Sequence, residues 1–224
     1  MTASRKAFLT GGSRGIGAAI ARELARRGFE VWAPGRTELD LSRPDSVQRF
    51  VAAHADAKVD VLINNAGVNI LKALPDLDSG TWGEMLQINL SAPLALIQWA
   101  APSMRRQKWG RILNLSSILG LLAKEKRAGY SMTKAAIMSL TRTAAVELGP
   151  DGVLVNALCP GYVATEMTTK NNSPEAIKLI VDTIPLRRLA DPAELATVAG
   201  FLCSEENTYL TGQSIVVDGG FMCQ

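Results

Sequence analysis

Two side chains in this 224-residue chain are suited to moving a proton: Tyr130 and Lys134, in Tyr130-Ser-Met-Thr-Lys134. Four apart on a helix, they project from one face. An ammonium beside a phenol favours the phenolate, so the spacing predicts a tyrosine whose pKa is lowered by Lys134 and that works as acid or base near neutrality. Bringing a phenol from about 10 to about 7 takes roughly 4 kcal/mol. One lysine is not expected to supply all of it, and a second positive charge would help. Taken alone, the pair also fits a half-buried tyrosine beside a solvated lysine.

Other residues place that pair in a nucleotide context. Ala7-Phe-Leu-Thr10 predicts a strand, Gly11-Gly-Ser-Arg-Gly-Ile-Gly17 a tight turn, and residues from about Ala18 to Arg27 a helix. Glycines let backbone approach phosphate oxygens, and a helix start offers free N–H groups and a positive dipole end. Strand, glycine turn and helix together predict a dinucleotide pyrophosphate site at Gly11, Ser13, Arg14, Gly15, Ile16 and Gly17. Phe29 to Ala33 predicts a second strand, and the turn after it holds no acid before Glu38 but does hold Arg36. Arg14 and Arg36 converging on one 2′-phosphate predict NADP in preference to NAD, with NAD possible if both are merely solvated. Val59 to Ile63 predicts a buried strand ending in Asn64-Asn-Ala-Gly67, and Arg111 to Leu115 one ending in Ser116-Ser117. Polar residues at the carboxyl ends of parallel strands face the ligand crevice of an open α/β sheet.

The elements that must position these groups follow from spacing. Too few residues separate Arg36 from Leu39-Asp-Leu41 for a helical crossover. No helix is expected there, and a strand at Asp40 is doubtful. Ser42 to Ala55 predicts a helix capped by Ser42, with Pro44 in its first turn and His54 near its end as a non-catalytic surface histidine. Ser79 to about Arg105 predicts a long helix kinked near Asn89 by Pro93. Trp82 and Trp99 are expected to pack. The Tyr130 helix runs to Leu148, where Gly149-Pro150 ends it. Its apolar residues span much of its circumference, which predicts one face on the sheet and one on another subunit. Val153 to Leu158 predicts a strand leading to Cys159-Pro160-Gly161. Tyr162 to Ile184 reads as a mobile lid. Asp191-Pro-Ala-Glu194 predicts a capping box, and Ser214 to Val217 a last strand before Asp218-Gly-Gly220. No repeat or linker interrupts residues 1–224, which predicts one domain.

Composition excludes other classes. The formal charge is +3, with 47% apolar and 20% charged residues, and no basic block carries interleaved aromatics, so nucleic acid is not an expected partner. No apolar run reaches membrane-spanning length, and the N-terminus has no leader pattern. Cys159, Cys203, Cys223 and the single His54 have no metal or disulfide spacing. A cytoplasmic protein without metal is the expectation.

Thr10-Gly-Gly-Ser-Arg-Gly-Ile-Gly17, Asn64-Asn-Ala-Gly67, Asn89, Ser117, Tyr130-Ser-Met-Thr-Lys134, Pro160-Gly161 and Asp218-Gly-Gly220 together resemble the short-chain dehydrogenase/reductase family over nearly the whole chain. Within it they look most like 3-oxoacyl-acyl-carrier-protein reductases and related alcohol dehydrogenases. The resemblance implies an α/β fold, a Rossmann-like doubly wound parallel sheet, here without the helix between the family's second and third strands. It also implies hydride transfer between NADP(H) and a carbonyl or secondary alcohol. Tyr130 would be acid or base, and Lys134 would tune it and hold the nicotinamide ribose. Ser117 would donate to the carbonyl oxygen, and Asn89 would hold a water joined to Lys134. Asp40, with Leu41 beside it, would face the adenine, and Asn65, Ala66 and Gly67 the adenosine ribose. Thr165 and the Val163 backbone, beyond Pro160 and Gly161, would meet the carboxamide. The implied partners are a small carbonyl, alcohol or acyl-thioester substrate and further copies in a tetramer or dimer. Arg105, Arg106, Lys108 and Arg127 would be contacts for an acidic carrier, or a solvated face. The alternatives are a sugar, polyol or cyclic alcohol dehydrogenase, a non-catalytic nucleotide-binding protein, and an isomerase or dehydratase using a transient hydride.

Overall fold

A computed structural model describes residues 4–170 and 172–223. The expectation for the first three residues lies outside them. Six parallel strands form one sheet: β1 (Lys6–Leu9), β2 (Glu30–Trp32), β3 (Val61–Asn64), β4 (Gly110–Leu115), β5 (Val153–Pro160) and β6 (Ser214–Val217). Their spatial order is β2-β1-β3-β4-β5-β6. The chain moves outward from β1 to β2 and then returns past β1 to β3, so its direction reverses between β1 and β3. The crevice at a reversal point is where open α/β sheets take ligands.

Alternation along each strand builds two cores. Phe8, Leu62, Ile112 and Val155 face α2 (Pro44–Ala53), α4 (Ala92–Gln107) and α5 (Ala128–Leu148). Leu9, Ile63, Leu113 and Leu158 face α1 (Gly15–Arg26) and α8 (Pro192–Leu202). Ile20 and Leu24 of α1 are fully buried, each contributing about 1.5–3 kcal/mol against leaving it in water.

No strand or helix forms between β2 and α2. Trp32 at the edge strand packs edge-on against Phe8 at 4.9 Å, and Phe8 against Trp99 at 4.9 Å. Phe50 and His54 at the α2 end, 4.4 Å from each other, join them at 5.6 Å from Phe8 and 5.0 Å from Trp32 respectively, and Trp99 donates its indole N–H to the His54 carbonyl at 2.8 Å. This aromatic knot braces the edge that the absent segment leaves. The expected cap of α2 is corrected: Arg43 holds that position without a side-chain bond, because Ser42 instead donates to Asp40 at 2.6 Å.

The expected kink is a wide turn. Between α3 (Ser79–Leu86) and α4, residues Gln87–Ser91 form a π-helical segment in which Ala92 N–H reaches Gln87 O. Pro93 has no N–H to give the Asn89 carbonyl, the partner a regular helix would require. The expected lid holds two short helices, α6 (Glu166–Lys170) and α7 (Pro174–Thr183). It is not uniformly polar, for Ile180 and Ile184 are buried. The Asp191–Glu194 capping box forms as expected.

Candidate active site

Strand β4 delivers Ser116 and Ser117, and α5 delivers Tyr130 and Lys134. Ser116 Oγ donates to the Lys134 carbonyl at 2.8 Å, fastening the helix to the strand end. Ser117 Oγ accepts from Leu119 N–H at 3.1 Å and lies beside the Tyr130 phenol, close enough to favour its ionised form. Lys134 Nζ lies 5.5 Å from the Tyr130 ring centre and donates to Leu115 O at 2.6 Å. All three side chains are buried.

The electrostatics correct one expectation. Tyr130 is pushed up to about 12, because burial disfavours the phenolate more than Ser117 and the Arg127 charge favour it. Lys134 does not lower it here, and is itself brought down to about 8 by burial. A buried phenol that keeps its proton is a proton donor toward a carbonyl oxygen.

Asn89 sits beside this centre. Its amide oxygen accepts from Val68 N–H and its N–H₂ donates to Val68 O, both at 2.9 Å, and to Thr133 Oγ1 at 3.1 Å. Thr133 in turn donates to the Tyr130 carbonyl at 2.8 Å. The side chain is thus occupied in joining the loop after β3 to α5, and only its backbone carbonyl is left for a water. A Cβ on Gly67 would lie 3.3 Å from Asn89 Oδ1 and 3.4 Å from Lys134 Nζ, so glycine lets the loop close on both.

The glycine turn is shaped as a phosphate cradle. Gly11 and Gly15 have φ of 69° and 54°, the left-handed region that side chains resist. A Cβ on Gly17 would stand 2.1 Å from Gly11 O. The start of α1 has no side-chain cap and no acid in its first turn, which leaves its N–H groups for an anion. Ser13 is exposed, and Ile16 packs into the core below. Asn65, expected to border the adenosine ribose, donates its N–H₂ to Thr10 O and Gly11 O, both at 3.0 Å, and holds the turn in place. Thr10 Oγ1 accepts from Asn65 N–H and Ala66 N–H, both at 3.1 Å.

At the adenine end the expected contacts are engaged with one another. Asp40 accepts from Ser42 N–H at 3.0 Å, Ser42 Oγ at 2.6 Å and Arg36 Nε at 3.3 Å. Its carboxyl is pulled below its usual range by Ser42 first and Arg36 after. The Leu41 carbonyl accepts from Gln87 at 3.1 Å. Arg14 is ion-paired with Glu166 of α6. On the other side, Gly161 N–H donates to Val217 O beyond Pro160, and the Val163 carbonyl accepts from Thr165 N–H and Thr168 Oγ1. The Thr165 methyl would lie 3.4 Å from a Cβ on Gly15, so the lid root touches the glycine turn.

Two positions were missed or misread in sequence, Asn114 and Arg127. Asn114 bridges Asn64 and Thr141 at 2.9 Å each, an inner ladder tying β3, β4 and α5; a lone asparagine in an apolar strand was its only signal. Arg127 is buried, not on a solvated face. Arg105 and Lys108 close on Asp151 at 2.6 and 2.5 Å with their side chains largely exposed, in keeping with the solvated face that was one of the two readings. Among the described residues, no cluster of metal-ligating side chains occurs, and no helix is long and apolar enough to cross a membrane.

A family model described as Enoyl-(Acyl carrier protein) reductase matches residues 33–222. The chain is 35% identical to the 3-oxoacyl-[acyl-carrier-protein] reductase of Aquifex aeolicus over 237 residues, covering 95% of each. It is also 35% identical to that of Staphylococcus aureus over 244 residues, covering 98% of this chain and 99% of the relative. Among solved structures, a candidate NAD(P)-dependent gluconate 5-dehydrogenase from Beutenbergia cavernae with bound NADP superposes with a TM-score of 0.95 at 34% identity, covering 100% of this chain and 98% of that one. A gluconate 5-dehydrogenase from Burkholderia cenocepacia in complex with NADP and tartrate gives 0.93 at 27% identity, covering 98% and 96%.

Proposed function

The chain belongs to the short-chain dehydrogenase/reductase family, and from that membership we propose that it is an NADP-dependent oxidoreductase interconverting a ketone and a secondary alcohol. The observation that carries this reading is the buried Tyr130 phenol beside Ser117, with Lys134 one helical turn away. When bound, NADPH supplies the hydride that the carbonyl carbon receives. Tyr130 gives its proton to the carbonyl oxygen as negative charge develops there, and Ser117 donates a hydrogen bond to the same oxygen. In the oxidative direction Tyr130 takes the hydroxyl proton. Lys134 supplies positive charge beneath the site, Asn89 keeps the Val68 loop and the Tyr130 turn in register, and Gly67 lets the loop approach.

The residues fit the cofactor. Gly11, Ser13, Arg14, Gly15, Ile16 and Gly17 would hold the pyrophosphate on the uncapped start of α1. Arg14 and Arg36 would hold the 2′-phosphate, exchanging Glu166 and Asp40 for it. Asp40, Leu41, Ala66 and Gly67 would border the adenosine, with Asn65 acting through the turn. Pro160, Gly161, Val163 and Thr165 would border the nicotinamide. Exposed Leu94, Met132 and Val146 on α4 and α5 support association with further copies of the chain.

Two substrate classes have support. The curated relatives are named for 3-oxoacyl thioesters, and the structural neighbours for gluconate. A panel of 3-oxoacyl thioesters, oxo acids, neutral ketones and enoyl thioesters, assayed with NADPH and NADH, tests the proposal. Net NADPH oxidation with a ketone and little with NADH is expected. Turnover without net cofactor change, or with no ketone at all, would reject it.

A further inference from the structure

One buried cation is left over by this chemistry, and its surroundings indicate what is reduced. Arg127 stands at the cap position of α5, three residues before Tyr130, and is 6% exposed. Among the described residues its guanidinium has no carboxylate partner and no side-chain hydrogen bond. The contrast with Arg111 is direct. That arginine is as deeply buried, but it donates to Gly110 O at 2.8 Å, Asn207 O at 2.8 Å and Ser204 O at 3.2 Å. Secluding an ion without a protein partner is unfavourable. A chain that retains one gains from it when an anion arrives.

The surroundings lack an anion and favour one. The ionisable groups nearest Arg127 are two neutral phenols, those of Tyr162 and of Tyr130 at the reaction centre. Tyr162 lines a cleft of about 630 Å³, together with Lys124, Ile180 and Phe221. Lys124 donates to the Tyr162 hydroxyl at 2.9 Å, and no acidic residue lines the cleft. The first turn of α5 also carries no acid, so its positive end is uncompensated.

We propose that Arg127 binds a carboxylate of the substrate, and that the substrate is a short oxo or hydroxy acid. This deepens the ketone–alcohol reading and rests on it. Residues three apart on a helix have Cβ atoms about 5–6 Å apart, so one molecule touching both Tyr130 and Arg127 carries its charge within a few bonds of the reacting carbon. An acyl thioester is uncharged at that distance, whereas an oxo acid is not. A planar guanidinium takes a carboxylate bidentately.

The test separates this assignment from the reaction itself. Binding to the NADP⁺-saturated Tyr130→Phe protein is measured by calorimetry for acetoacetate, gluconate and tartrate, and for the neutral counterparts methyl acetoacetate and sorbitol. At least one acid is expected to bind well above its neutral counterpart. Adding Arg127→Gln is expected to weaken that acid by about 100-fold and the neutral compound by less than about threefold, while Arg127→Lys, retaining the charge, keeps part of the preference. Acids that bind no better than neutral compounds would overturn the assignment, as would Arg127→Gln weakening both alike. In either case reduction of neutral ketones with NADPH by the wild-type protein leaves the hydride-transfer reading standing. Tyr130→Phe protein that reduces ketones at the wild-type rate would defeat that reading instead.

Discussion

At the reaction end of the crevice, Asn89, Ser117, Tyr130 and Lys134 are between 2% and 8% exposed, and each is hydrogen-bonded inside the protein, Tyr130 through its carbonyl. At the adenine end, the Arg14 and Arg36 side chains are 76% and 78% exposed, and they hold the carboxylates of Glu166 in α6 and of nearby Asp40 respectively. The first region is fixed by long-range partners: β4, the π segment and α5 meet over a sequence span that no local motif covers. The second is a short turn left where the family's helix is missing, and its charges satisfy one another in water. Buried donors keep their geometry and full electrostatic strength, whereas exposed ion pairs are weak and exchangeable. The reaction centre should therefore be rigid and intolerant of change. The adenine end should adapt to the cofactor and tolerate substitution.

Three variants sharpen that contrast. Ser117→Ala removes a preorganised donor and is expected to lower kcat by about 100-fold or more, with the KM for NADPH little changed, measured by steady-state NADPH oxidation. A loss under about fivefold would mean that the reaction end is no more demanding than the surface. Arg14→Ala and Arg36→Ala are each expected to raise the KM for NADPH by about tenfold and leave that for NADH nearly unchanged. The loss is smaller because each arginine first gives up Glu166 or Asp40 before meeting a phosphate. Equal effects on both cofactors would show that the arginines do not meet the 2′-phosphate.

The smallest effect concerns pH. Burial brings Lys134 from its ordinary 10.5 to about 8. Between those values the unfolded chain holds a proton that the folded chain has released, so this group's contribution to stability rises with pH across that window. Below about 8 its destabilising effect is fully present. The Tm of cofactor-free wild-type protein is expected to climb relative to that of Lys134→Met from pH 8 to 10.5. A flat difference would place the lysine in water, and a falling one would place an anion beside it.

What was legible in sequence follows the same division. The strands, the glycine turn and the Tyr130–Lys134 helix could be read because each is a local pattern, and the missing helix showed as too short a span between Arg36 and Asp40. Asn89 could be located but its work could not, since its partners Val68 and Thr133 lie 21 and 44 residues away. The depth of Tyr130 was equally hidden. Spacing reveals that a lysine is near, but only packing reveals that burial outweighs any nearby positive charge. Arg127 read as a surface charge for the same reason. The aromatic knot of Phe8, Trp32, Phe50 and Trp99 joins four elements, and no window of the sequence contains it.

The central claim is that the buried Tyr130 phenol is the proton donor of a reaction centre assembled before cofactor arrives. It is tested by measuring kcat for a reducible ketone and the Kd for NADPH together in Tyr130→Phe. A fall in kcat of about 1000-fold or more, with Kd within about twofold of wild type, is the predicted result. Turnover retained within about tenfold, or a parallel loss of cofactor binding, would contradict it.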